Sequence, residues 1–128
     1  MKKSYQLRSL LLTVPIYKIK VKITFVDNIE SYFKFKKYNS HSIEDCQALV
    51  YFPKNRNYHL DMIFEDSGYR DDILVHELFH VVKYICDYVG IVLSDESEEA
   101  WAYLFGDLYG KIKYVIYNNL LKEFEDDY

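Results

Sequence analysis

Polar and apolar residues alternate in 16–26, where Lys18, Lys20 and Lys22 interleave with Ile19, Val21 and Ile23. A period of two is the signature of a half-buried strand. The segment is predicted as a strand with the lysines on its solvent face. The alternation stops at Asp27-Asn28. Residues 28–38 are predicted as a short helix, with Asp27 as N-cap and Glu30 three residues on. A second hairpin strand is the alternative there. The polar stretch 39–45 reads as loop, with Lys34, Lys36 and Lys37 before it as an exposed helix face. Residues 47–53 and 57–64 read as two strands joined at Lys54-Asn55-Arg56 in a hairpin, and 65–70 as loop.

Past residue 70 the period changes. Residues 73–89 carry Ile73, Leu74, Val75, Leu78, Phe79, Val81, Val82, Tyr84, Ile85, Cys86, Tyr88 and Val89 with few polar interruptions. A helix apolar nearly all round is expected to be buried. Asp71 is its expected cap and Gly90 its end. Ser94 or Asp95 is expected to cap a last long helix that runs to about Leu121. On that helix Ala102, Gly106 and Gly110 recur at steps of four. Such a stripe would let it approach the preceding helix closely. The order β-α-β-β-α-α predicts an α+β fold, with a small sheet covering the 73–89 helix and the last helix beside it.

The chain of 128 residues is half hydrophobic and 18% aromatic, with 14 tyrosines. That is a globular composition. The length suits one domain over 1–128, with 1–15 and 122–128 peripheral. Cys46 and Cys86 lie far apart and form no CxxC, so both are expected as thiols in a reducing compartment. Two lysines and an apolar run at Leu10 to Val14 open the chain. The run is shorter than a signal peptide uses, and no small-x-small site follows. No stretch is long enough to cross a membrane. Charge is uneven: residues 1–64 carry +6 and residues 65–128 carry −10. The lysines of the basic half fall on expected solvent faces, which argues against a nucleic-acid partner. The acidic tail from Glu123 is expected to fray.

Residues 76–80 read His76-Glu77-Leu78-Phe79-His80. On a helix the two histidines, four apart, share a face. Two imidazoles so placed can bind one zinc ion. Glu77 is rotated about 100° from His76, outside the pair yet near a metal-bound water, whose proton it can take. Burying two imidazoles and a carboxylate in an apolar helix would be costly without a partner such as a metal.

A catalytic zinc needs a third protein ligand and one open position. The other histidines are His41 and His59, and Cys86 stands six residues past His80. Downstream carboxylates are Asp87, Asp95, Glu96, Glu98, Glu99 and Asp107. Asp95, Glu96 and Glu98 suit the first turn of a helix, where they favour its dipole. The stretch Glu99-Ala100-Trp101-Ala102-Tyr103 resembles the Glu-x-x-Ala motif of the gluzincins, the thermolysin-like zinc peptidases. Leu74 to Leu108 is similar to small zincin-like proteins of phages and prophages. The resemblance implies a reduced zincin core over 16–121 and one Zn2+ per chain on His76, His80 and Glu99. It also implies Glu77 as general base. Where many gluzincins have Asp or Asn four residues past the ligand Glu, this chain has Tyr103. Tyr103 would then orient a zinc histidine or donate to a developing oxyanion, with Asp107 as an alternative orienting group. Tyr69 and His59 are further candidate donors.

These residues lead to the expectation of a zinc-dependent metallopeptidase acting on a peptide or protein, in the cytoplasm of a bacterial host if phage or prophage encoded. Substrate would lie along a free sheet edge, on 47–53 or 57–64. The alternatives are a non-catalytic zincin-fold metal-binding structural or phage assembly protein, and a metal-free interaction module anchored by its tyrosines.

Overall fold

The computed structural model of the protein describes residues 7–39, 46–54 and 56–120. Its order is β1 (Leu7–Val14), β2 (Ile19–Val26), α1 (Ile29–Lys36), β3 (Ala48–Tyr51), β4 (Leu60–Glu65), α2 (Asp71–Val89) and α3 (Glu98–Val115). A 3-10 turn spans Asp66–Gly68, and a π-helical turn, Ile116–Leu120, extends α3. The architecture is α+β with a small mixed sheet. The chain divides into two compact units, one up to Glu77 and one from Leu78 on, so the division falls inside α2. The start before residue 7, the 39–45 loop past Asn39 with His41, Asn55, and the tail from residue 121 lie outside the described residues.

The sheet runs β1-β2-β4-β3. β1 and β2 form an antiparallel hairpin, from Leu7↔Val26 to Val14↔Ile19. β2 and β4 are parallel, with Lys22 opposite Asp61. β3 and β4 are antiparallel, as the sequence predicts. β4 therefore has a neighbour on each side, while β1 and β3 are the edges among the described residues.

β1 is the strand that sequence periodicity misses, since 1–15 reads as peripheral. Its burial does alternate: Leu10 and Leu12 are half-buried, while Ser9, Leu11 and Thr13 are exposed. Leu11 places an apolar side chain on the exposed face and turns an alternating strand into an apolar run. That run carries no period to read.

The face of β2 that the lysines mark is not the solvent face throughout. Lys20 is exposed, Lys22 is half-buried, and Thr24 and Val26 are fully buried. Val26 packs with Ile29, Tyr32 and Phe33 of α1 and with Tyr38 and Ile63 in one cluster, joined by Leu49 and Tyr51 from β3. The helix covers this end of the sheet, so sheet residues that alternate like a surface become interior.

Caps fix where α1 begins and ends. The N-cap is Asn28, one residue past the expected Asp27, and its side chain accepts from the Ser31 N–H at 2.8 Å. The C-terminal end closes when the Tyr38 N–H donates to Phe33 O at 3.0 Å and the Lys37 N–H to Lys34 O at 3.3 Å. This is the Schellman arrangement, which needs a left-handed residue, and Lys37 supplies it at φ 60°. A side chain in that region costs about 1–2 kcal/mol. The turn brings the Tyr38 ring back over the sheet.

α2 and α3 form as their boundary residues dictate. Asp71 and Asp72 open α2, favouring its N-terminal dipole. Asp71 is the first helical residue, not the expected cap. Gly90, at φ 84°, ends α2 as expected: Ile91 N–H donates to Cys86 O at 2.8 Å and Gly90 N–H to Asp87 O at 3.3 Å. α3 starts later than expected, after Ser97. The Ser97 hydroxyl turns back to Val92 O and accepts from the Ser94 N–H, so it braces the turn ahead of the helix. No helix among the described residues is long and apolar enough to cross a membrane.

Candidate functional site

α2 is not apolar and buried all round. Leu74, Glu77, Leu78, Val81, Val82, Ile85 and Cys86 form its buried stripe at the i, i+3, i+4 spacing of one helix face. Val75, Phe79 and Tyr88 are exposed apolar residues off that stripe. His76 and His80 are also exposed, on the side continued by Lys83 and Asp87, which pair at 2.8 Å. Glu77 is the one charged residue in the buried stripe and is only 7% exposed. Thus the expected pair of imidazoles does share a helix face, and the expected base lies on the adjoining, buried one. The histidines are exposed side chains, so the expected cost of burying them does not arise.

The remaining candidates lie on α3. Glu98 and Glu99 are both in its first turn, and both are exposed. Because α3 begins at Glu98, the dipole argument that accounts for first-turn carboxylates applies to Glu99 as much as to its neighbour. Asp95 and Glu96 precede the helix. Tyr103 is 76% exposed. Asp107 lies 3.0 Å from Lys111 in an exposed pair one turn apart. The small-residue stripe meets no close neighbour: a Cβ at Gly106 or Gly110 would have nothing within 4 Å. Among the described residues no three His, Cys, Asp or Glu side chains gather as metal ligands would. His76 and His80 share a face of α2, and Glu99 stands in the first turn of α3.

Two other expected participants, His59 and Tyr69, lie in the part of the chain before α2. His59 extends the β2–β4 ladder: its Nδ1 accepts from the Lys20 N–H at 3.0 Å, and its own N–H donates to Lys20 O at 2.8 Å. Tyr69 packs its ring edge-on against Phe25 and Phe64. Of the two strands expected to receive substrate, β4 is interior and has no free edge. Only β3 keeps one. Cys86 is buried, and burial with Asp87 nearby pushes its thiol pKa up.

A second polar cluster was not anticipated. Asp61, in the middle of β4, is fully buried. Its Oδ1 accepts from Thr24 Oγ1 at 2.7 Å, and its Oδ2 from Tyr32 and Tyr38, each at 2.7 Å. The Tyr38 and Tyr58 hydroxyls are 2.8 Å apart, and Lys22 Nζ donates to the Tyr32 hydroxyl at 3.2 Å. Burial first, then the Asp61 charge, pushes the Tyr32 and Tyr38 phenols well above the ordinary tyrosine range. The one available signal was a lone carboxylate inside the apolar run Leu60 to Phe64, because a buried charge demands donors.

No protein-family model, curated protein or solved structure matches the chain.

Proposed function

We propose that the chain is a zinc-dependent metallopeptidase of gluzincin type. His76 and His80 are its paired imidazole ligands, Glu99 its third ligand and Glu77 its general base. One observation carries this: a carboxylate on the buried stripe of α2 stands directly beside an exposed histidine that has a second histidine one turn on. A general base needs a carboxylate held beside the ligand pair, and Glu77 is the charged residue of that stripe.

Zinc, when bound, supplies the positive charge that acidifies a water and polarises a peptide carbonyl. Glu77 accepts the proton of the attacking water at a carboxylate oxygen and returns it to the departing amine. Its burial limits the rotamers open to it and keeps bulk water from competing for that proton. Metal binding and local folding are coupled, and zinc held by His76 and His80 would take Glu99, in the first turn of α3, as its third ligand. Tyr103 then lies one turn beyond the ligand and orients a histidine. The β3 edge offers backbone groups to an extended peptide. The proposed setting is the cytoplasm of a bacterial host of a phage or prophage.

The test begins with elemental analysis of untagged protein purified without chelator, which should show one zinc per chain. Zinc titrated into metal-free protein should also change the fluorescence of Trp101. That residue is two positions from Glu99, and its ring centroid is 6.1 Å from that of Phe79. Glu99→Ala should weaken zinc binding. Glu77→Gln should keep zinc and the fold while cutting peptide hydrolysis by about 10²–10⁴-fold. Failure to take up zinc sinks the proposal. Loss of zinc in Glu98→Ala or Glu96→Ala but not in Glu99→Ala moves the third ligand. Zinc binding with no Glu77-dependent hydrolysis identifies a structural metal protein.

A further inference from the structure

Lys22 and Lys36 place two ammonium groups at one aromatic ring. Lys22 Nζ lies 5.0 Å from the Tyr58 ring centroid and Lys36 Nζ 5.6 Å from it. Both line a cleft of about 340 Å³ with Ser9, Leu11, Asn57 and Tyr58. Neither forms an ion pair within 4 Å among the described residues. Asp61 is the strand neighbour of Lys22, but its oxygens are taken by Thr24, Tyr32 and Tyr38. Lys22 is hydrogen-bonded to the Tyr32 hydroxyl, which in turn donates to Asp61, and the buried Asp61 charge also acts on Lys22 directly.

Two like charges on a half-buried surface repel, and partial desolvation sharpens the repulsion. Burial lowers the Lys22 pKa from the ordinary lysine value and Lys36 adds to the effect. The opposing pull of Asp61 and Tyr58 does not restore it. Asp61 offsets this cost in part, and among the described residues that line the cleft there is no carboxylate. The Ser9 hydroxyl and the Asn57 amide, which also line it, can donate hydrogen bonds, while the Tyr58 hydroxyl lies 2.8 Å from that of Tyr38. Leu10 and Leu11 give the cleft aliphatic lining, and Leu11 is 44% exposed.

We propose that this cleft binds the phosphate group of a small phosphate monoester, between Lys22 and Lys36, with the organic part of the ligand against Leu11 and Tyr58. A monoester carries close to two negative charges at neutral pH, matching two ammonium groups. Lysine binds phosphate as a point charge through short, charge-assisted hydrogen bonds. The proposal does not depend on the metal site, because the cleft is built from β1, β2, α1 and the segment before β4.

The full-length protein is titrated by calorimetry at low ionic strength with inorganic phosphate and with glycerol 3-phosphate. One saturable site is expected for both, tighter for glycerol 3-phosphate. Lys36→Gln, on a half-exposed helix side chain, should weaken binding by about tenfold or more. Lys34→Gln, exposed on the same helix and outside the cleft, should leave it unchanged. Absence of saturable binding overturns the proposal, as does equal loss in both variants, which would mean diffuse surface attraction. A single-stranded oligonucleotide serves as a third probe. Lys36-dependent binding of the oligonucleotide alone would overturn the monoester assignment in favour of a nucleic-acid backbone.

Discussion

Around Asp61, three hydroxyls close on a carboxylate that water does not reach. On α2, two imidazoles stand exposed and only Glu77 beside them is buried. The first arrangement spends its polar groups on one another. It ties β2, β4 and α1 together, and each bond lost leaves a donor or acceptor stranded in the interior. The second keeps its two imidazole side chains on the exposed side of α2. Buried polar groups are not by themselves a sign of catalysis. Here the deeper cluster is closed by its own hydrogen bonds, and the exposed pair carries the candidate chemistry.

The sharpest way to break this contrast is Asp61→Ala. It removes the acceptor of three buried hydroxyls and should cost about 3–5 kcal/mol of stability, read as a lower urea midpoint. A variant that unfolds at the wild-type midpoint would show that water satisfies the cluster and that it holds little together. Tyr103→Phe probes the other region. It should leave the metal-free fold unchanged, since the side chain is 76% exposed. If the hydroxyl orients a zinc histidine, zinc affinity should drop by about 10–100-fold. Unchanged affinity with slower hydrolysis makes it an oxyanion donor instead. No change in either passes the orienting role to Asp107.

Alkaline pH offers a finer measure of the buried cluster. The Tyr32 and Tyr38 phenols have folded-state pKa values raised above the ordinary tyrosine value. Their contribution to stability is therefore fully present below about pH 10 and is lost as pH rises from there toward the folded values. Each shifted phenol adds about 1.4 kcal/mol per pH unit to the decline. Tyr32→Phe should make the fall in stability above pH 10 shallower by about one proton, measured by urea unfolding at a series of pH values. An unchanged slope would mean that Tyr32 ionises as easily folded as unfolded.

The smallest effect is expected at the histidines. In metal-free protein His76→Ala and His80→Ala should each shift stability by no more than about 0.5 kcal/mol, as exposed substitutions do. With zinc present both should lose the metal and the stabilisation that comes with it. A large loss in the metal-free state would place the imidazoles among the supports of the fold, and the contrast with Asp61 would fail.

Local rules were legible wherever one residue or one period decides an outcome. The alternation of 19–26 made β2 a strand, and Gly90 ended α2 because a left-handed cap favours glycine. The apolar run after Asp71 had to be helical, and the spacing of His76 and His80 put both on one face through the geometry of the helix alone. β1 was hidden because an exposed Leu11 erased its period. Lys22 read as a surface lysine because nothing in 16–26 says that α1 will fold over that face. Which stripe of α2 is buried, and so that Glu77 goes in while the histidines stay out, depends on packing with distant residues. The same holds for the partners of Asp61, gathered from Thr24, Tyr32 and Tyr38. A sequence states each residue's preference for water and for a backbone shape. Only the tertiary structure decides which preferences are met together, because burial is a property of neighbours that the chain brings in from elsewhere.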